Sequence, residues 1–127
     1  MQQDSVETRR ARLLRKQLYL VHMRPKVPLD DPLALLTPHM AAHLDFLRDL
    51  ESRGVLFMSG ALRDGNSWEG GGMAIIRAGS VAEAWEIARA EPFHVAGVRV
   101  NTVEGWQLNE GSLNFTLRIM ERGFDIG

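Results

Sequence analysis

Leu18-Tyr19-Leu20-Val21-His22-Met23 is a short run whose apolar side chains fall on both parities. Successive strand residues point to opposite faces of a sheet, so such a run describes a strand that wants cover on both. Pro25 and Pro28 close it, because proline cannot donate to a ladder. Two similar runs lie further along, Val55-Leu56-Phe57-Met58 and Met73-Ala74-Ile75-Ile76-Arg77-Ala78. Both read as strands of the same doubly apolar kind.

What joins these strands is helical. Thr37 followed by Pro38 is an N-cap and first-turn pair, and Gly54 is a C-terminal stop. Between them Met40, Leu44, Leu47 and Leu50 share one arc at about 100° per residue, which predicts a helix over 37–54. Ser80 with Glu83 makes a capping box ahead of Val81, Ala84, Trp85 and Ala88, and Pro92 ends this second helix. Residues 61–72 hold Asp64-Gly65-Asn66 and Gly70-Gly71-Gly72 and read as a turn-rich loop. The loop lacks the lysine and hydroxyl of a phosphate-binding loop and opens no helix.

Val98, Val100 and Thr102 alternate with Arg99 and Asn101 in a fourth strand that ends near Trp106. Asn109-Glu110-Gly111 then turns the chain into Leu113, Phe115, Leu117 and Ile119, alternating with polar residues as an added fifth strand. The order β-α-β-β-α-β, with right-handed crossovers, gives an α+β ferredoxin-like sandwich with both helices on one face. The other face is apolar too and needs burial, which pairing of two subunits sheet on sheet would supply. The expected partner is a second copy, in a homodimer or higher assembly, with a monomer covered by its own N-terminal arm as the plainer alternative.

The 127 residues suit one domain with a real core, at 45% apolar and 24% charged. The absence of cysteine rules out disulfides, thiolate metal sites and a cysteine nucleophile, and is compatible with a cytoplasmic location. Formal charge is −1, unevenly spread: Arg9, Arg10, Arg12, Arg15 and Lys16 against Asp4 and Glu7 leave residues 1–17 at +3 and the remainder at −4. This basic extension has no interleaved aromatics and no nucleic-acid motif, so it reads as a solvated or partly helical arm. No apolar run nears the ~18 residues of a membrane span, and Leu13-Leu14 is too short for a signal segment.

His43 lies near the centre of the first helix's apolar arc, where a histidine must be hydrogen-bonded or face a cavity. The two crossover helices run antiparallel, so the start of the first sits beside the end of the second, where Glu91 stands. A carboxylate delivered to a buried imidazole fixes its tautomer and stabilises the imidazolium, the arrangement of a general base with an orienting partner. A satisfied core histidine and a solvated glutamate are the plainer reading of the same residues. His39, one turn before His43, could complete a two-histidine metal site, but no acid recurs at ligand spacing, and we expect no metal. His94 could reach the same pocket as a second proton-transfer group, and His22 suits packing or an interface. Ser59, before Gly60, could donate to a ligand, and Trp68 and Trp106 could wall an apolar pocket.

Several of these stretches resemble the YCII-related (YciI-like) family. Ala42-His43-Leu44-Asp45-Phe46-Leu47 and Gly54-Val55-Leu56-Phe57-Met58-Ser59-Gly60 are similar to its first helix and following strand. Ser80-Val81-Ala82-Glu83-Ala84 and Ala90-Glu91-Pro92-Phe93-His94-Val95-Ala96-Gly97-Val98 are similar to its second half, and Trp106-Gln107-Leu108-Asn109-Glu110-Gly111 to the tail of a longer subgroup. The resemblance covers roughly residues 18–119. It implies a dimeric α/β barrel related to muconolactone isomerase, a family histidine at His43 and a family aspartate at the position of Glu91. It also implies enzymatic activity, since some relatives are dehydrochlorinases of hydroxylated aromatic intermediates. Glutamate in place of that aspartate means that either the backbone adjusts or the dyad weakens.

These readings divide the chain into a basic extension over 1–17, a ferredoxin-like domain over 18–120 and a tail over 121–127. The function they favour is a cofactor-free enzyme doing acid–base chemistry of isomerase, lyase or dehydrochlorinase type on a small cyclic organic molecule. His43 would be the base, Glu91 its orienter, and no nucleic acid or membrane is expected as a partner. Two rivals stand beside it, a non-catalytic dimeric module binding a small molecule or protein and a cofactor-free oxygenase.

Overall fold

The computed structural model describes residues 5–127; the first four residues of the basic extension lie outside the described part. The elements are α1 (Val6–Ala11), β1 (Lys16–Pro25), α2 (Pro32–Ser52), β2 (Leu56–Asp64), β3 (Ser67–Ile76), α3 (Val81–Arg89), α4 (Pro92–Val95), β4 (Arg99–Leu108), β5 (Phe115–Arg118) and β6 (Gly123–Ile126). Residues 17–107 form one compact unit; the described residues 5–16 and 108–127 belong to another.

In the larger unit the sheet order is β2-β3-β1-β4, the ferredoxin-like order, with β3 antiparallel to both β1 and β2. Register decides which side chains share a face. Tyr19 pairs with Ile76, Val21 with Ala74 and Met23 with Gly72, while Leu56 and Ser59 also pair onto Ile76 and Ala74. Val21, Met23, Ala74 and Ile76 pack with Ala84 and Ala88 of α3, so this face meets the helices. Leu20, His22, Met58, Met73 and Ile75 occupy the opposite face.

Two elements differ from the sequence expectation. Helix α2 begins at Pro32, capped by Asp31, whose side chain accepts from Ala34 N–H at 3.2 Å. Asp31-Pro32 is thus the working cap and first-turn pair, and Thr37-Pro38 lies inside the helix, where the Thr37 hydroxyl donates to the Leu33 carbonyl. Fully buried Leu36 holds the added turns onto the molecule, which offsets the hydrogen bond that Pro38 cannot make. The buried residues of α2 are Leu36, His43 and Leu50, each seven apart and therefore on one stripe.

The stretch 61–72 is a hairpin rather than a loop. Asp64 pairs with Ser67 across Gly65-Asn66, with Gly65 at φ +57°, and the three glycines lie buried inside β3. Glycine runs carry no side-chain periodicity, which hides such a strand from pattern reading. Here they permit close approach. A Cβ on Gly70 (φ +96°) would lie 3.0 Å from Leu29 Cδ1 and 3.3 Å from Pro25 Cγ, and one on Gly72 would lie 3.1 Å from the Gly60 carbonyl. Gly70→Ala is therefore expected to cost roughly 1–3 kcal/mol from overpacking and backbone strain. An unchanged denaturation midpoint would contradict this account of the glycines.

The smaller unit carries β5 and β6, which form a two-stranded sheet among the described residues. The added C-terminal strand is present as β5, and its partner is β6. Phe115 faces Ile126 and Leu117 faces Phe124, so all four apolar side chains share one face and are 60–78% exposed. The other face carries the Arg118–Asp125 ion pair at 2.7 Å. In the same unit, Leu14 N–H donates to the Asn109 carbonyl at 3.0 Å.

Candidate active site

Glu91-Pro92 is a local instruction. Pro92 cannot continue α3 but fits the first turn of a new helix, and Glu91 becomes its N-cap. Its carboxylate accepts from Phe93 N–H at 3.1 Å through Oε1 and from His94 N–H at 3.0 Å through Oε2. Asn101 Nδ2 donates the carboxylate's third bond, to Oε2 at 3.1 Å, and also donates to the Ala88 carbonyl at 2.9 Å. Helix α4 packs beside α2, which brings His43 Nδ1 to 2.5 Å from Glu91 Oε1. The longer glutamate side chain thus reaches both the helix cap and the imidazole from this backbone position.

The electrostatics fix the proton. Glu91 is only 2% exposed, and burial, the largest influence, works to raise its pKa. The bonds from His43, Phe93 N–H and Asn101, with the charge of His43, outweigh it and hold the carboxyl below its ordinary value. An ionised carboxylate only accepts, so the shared hydrogen belongs to His43 Nδ1. In the neutral ring the lone pair is then on Nε2, the form a general base requires.

His43 is buried, and its ring stacks on Phe93 with centroids 4.3 Å apart. It lines a cavity of about 230 Å³ together with Met40, Leu44 and Leu47 of α2, Ser59 and Ala61 of β2, Trp68 of β3, Phe93 and Arg99. The volume falls just below the ~300–1,000 Å³ of typical ligand pockets and suits a small molecule with an apolar body. Trp68 donates its indole N–H to the Gly71 carbonyl at 2.7 Å, which fixes its ring at the wall.

His94 and Trp106 do not belong to this cavity. The Nδ1 atom of His94 accepts from Asn101 N–H at 3.1 Å, so the ring supports the strand. Trp106 shares the parity of Val100 and Glu104 on β4, the parity opposite to Arg99 and Asn101, and is 37% exposed. His22 is bonded to Glu104 at 2.7 Å. Among the described residues no group of three or more His, Asp or Glu side chains is placed to hold a metal ion, and no helix is long and apolar enough to cross a membrane.

Arg99 and Asn101 carry the surprise. Alternation in β4 puts them inward, at 4% and 2% exposure, while Val100 is 42% exposed. The Arg99 guanidinium stands 4.4 Å from the Phe93 ring centroid, and its Nε donates to the Gly70 carbonyl at 2.8 Å. Burial lowers the pKa of Arg99, partly opposed by the charge of Glu91, but a guanidinium remains a cation at neutral pH.

A ferredoxin-like sheet with a buried histidine–carboxylate pair beside a small apolar cavity defines a class of α+β domain. The chain belongs to the YCII-related domain family, whose model matches residues 18–107. It is 35% identical over 72 residues to the uncharacterized protein YjpA of Bacillus subtilis (strain 168), covering 57% of this chain and 80% of that protein. Its fold is also that of 5-chloro-2-hydroxyhydroquinone dehydrochlorinase (TftG) from Burkholderia phenoliruptrix AC1100, solved in complex with 2,5-dihydroxybenzoquinone. That match has a TM-score of 0.57 at 24% identity over 70% of this chain and 92% of that one.

Proposed function

We propose that this protein is a cofactor-free enzyme that moves a proton on a small cyclic organic molecule, as an isomerase, lyase or dehydrochlorinase does. The observation that carries this reading is the His43–Glu91 pair at the wall of a small apolar cavity. Glu91 holds the Nδ1 proton and leaves Nε2 as the base; once Nε2 is protonated, the carboxylate stabilises the imidazolium. The structural likeness to a dehydrochlorinase of a hydroxylated ring supports the same class of substrate. The test is to offer the wild-type protein chlorinated and unchlorinated hydroxyhydroquinones and lactones. Release of chloride, or uptake of deuterium from D2O into a recovered compound, supports the proposal. Binding without either would favour a non-catalytic module.

The working form in this reading is a homodimer. Its support is the apolar face opposite the helices, where Met58 and Val100 are 43% and 42% exposed, and the one-sided apolar face of the β5–β6 hairpin. A two-stranded hairpin is marginal by itself and needs such a face covered. Light scattering at micromolar concentration should give twice the 14.3 kDa chain mass, and Val100→Asp should shift it towards monomer. A monomeric wild type would remove this part of the proposal.

A further inference from the structure

Among the described residues Arg99 is the one buried lysine or arginine. Only its Nε is engaged, by the Gly70 carbonyl, and no carboxylate among the described residues lies within ion-pair distance of it. Glu91 acts on it through space, yet both Glu91 oxygens are already taken by His43, two backbone N–H groups and Asn101. A buried cation without a bonded counter-ion is costly, and this one lines the same cavity as His43. Phe93 bears both groups, the imidazole stacked at 4.3 Å and the guanidinium carbon at 4.4 Å from its centroid. His43 and Arg99 both line that one cavity, so a small ring held in it has the base and the guanidinium donors in its walls.

Charge balance narrows what the site accepts. With His43 neutral, Glu91 and Arg99 cancel. When His43 takes a proton the cavity gains one positive charge, and in a low-dielectric site that charge needs an anion formed in the same step. We infer that the substrate is a neutral cyclic carbonyl compound with an acidic C–H, and that Arg99 pairs with the enolate oxygen created when His43 removes that proton. The C–H electron pair becomes the new C–C π bond, the carbonyl π pair moves onto oxygen, and the proton rests on Nε2. Nothing is oxidised or reduced. Return of the proton to another carbon isomerises the ring, and departure of an anionic leaving group completes an elimination. The inference rests on the proton-transfer reading above and adds to it the substrate class and the group that stabilises the intermediate.

A phenolate imitates an enolate in shape and charge, so 4-nitrophenol is the probe, its ionised form being recognised by absorbance. Bound to the wild type it should ionise at a pH below its solution pKa, by the roughly 10- to 100-fold that a charge-assisted hydrogen bond supplies. Arg99→Gln should abolish this preference, and Arg99→Lys, which keeps the charge without the planar fork, should keep part of it. If Arg99→Gln does not fold, the wild type and Arg99→Lys decide. Nitrophenol bound in neutral form, no binding to the wild type, or an undiminished shift in Arg99→Gln would overturn the inference. His43→Gln separates the two ideas. Solvent-deuterium exchange that survives His43→Gln, beside a phenolate shift that still depends on Arg99, would remove the base and leave the anion site. Exchange lost in His43→Gln beside a neutral bound phenol would leave the base and remove the role of Arg99.

Discussion

His43→Ala is expected to lower turnover, or solvent-deuterium exchange into a substrate, by roughly 10²–10⁴, the usual contribution of a positioned general base. The loss should fall on kcat and kcat/KM alike, because the cavity wall that binds the ring (Met40, Leu47, Trp68, Phe93) is untouched. The variant also removes the hydrogen bond to Glu91 and the stack on Phe93, so its fold must be checked by circular dichroism and sizing before rates are compared. His43→Gln is the gentler control, since an amide can still bond Glu91 but cannot accept a proton at neutral pH. Removing the orienting carboxylate should cost less than removing the base, because an imidazole remains in a poorer tautomer. Turnover unchanged in a folded His43→Ala protein would refute the base outright.

Much of this site is legible in the sequence, and the reason is geometric. His43 falls on a stripe whose neighbours at seven-residue spacing, Leu36 and Leu50, are both buried. Antiparallel crossovers then leave only one place for the end of α3, which is where Glu91-Pro92 stands. The residues that sequence reading missed are polar ones on an inward parity. In β4 the alternation of Val98, Val100 and Thr102 with Arg99 and Asn101 is plain, yet it says nothing of which set faces the helices. The apolar set is the natural choice for a core, and the molecule does the reverse because Arg99 and Asn101 each have partners there: Gly70, Phe93, Ala88 and Glu91. A strand covered on both faces leaves no parity signal to arbitrate. The signal available was the odd placement of an arginine and an asparagine at alternate positions of an apolar strand.

Glu91→Ala is expected to be the most destabilising single change in the protein. It strips a buried imidazole of its partner, leaves the N–H groups of Phe93 and His94 without their side-chain acceptor, takes from the Asn101 amide one of its two acceptors, and removes the cap of α4. Breaking a buried pair from one side costs about 3–5 kcal/mol, which for a chain of this size means a melting temperature lower by roughly 10–20 °C. The same carboxylate should make stability depend on acid. Its folded pKa lies below the ordinary value of 4.5, so in that range the unfolded chain binds more protons than the folded one. Stability from Glu91 is therefore complete above the unfolded pKa and disappears as pH falls through the folded one. Urea titrations at about pH 7 and about pH 4 should show the wild type losing more stability than Glu91→Gln, which cannot titrate. Glu91→Asp should keep the acid dependence, and whether it keeps the reach to His43 as well as to the α4 N–H groups would be read from its activity. Equal acid sensitivity in the wild type and Glu91→Gln would mean that some other carboxylate governs acid unfolding, and that the Glu91 network contributes less than its four bonds suggest.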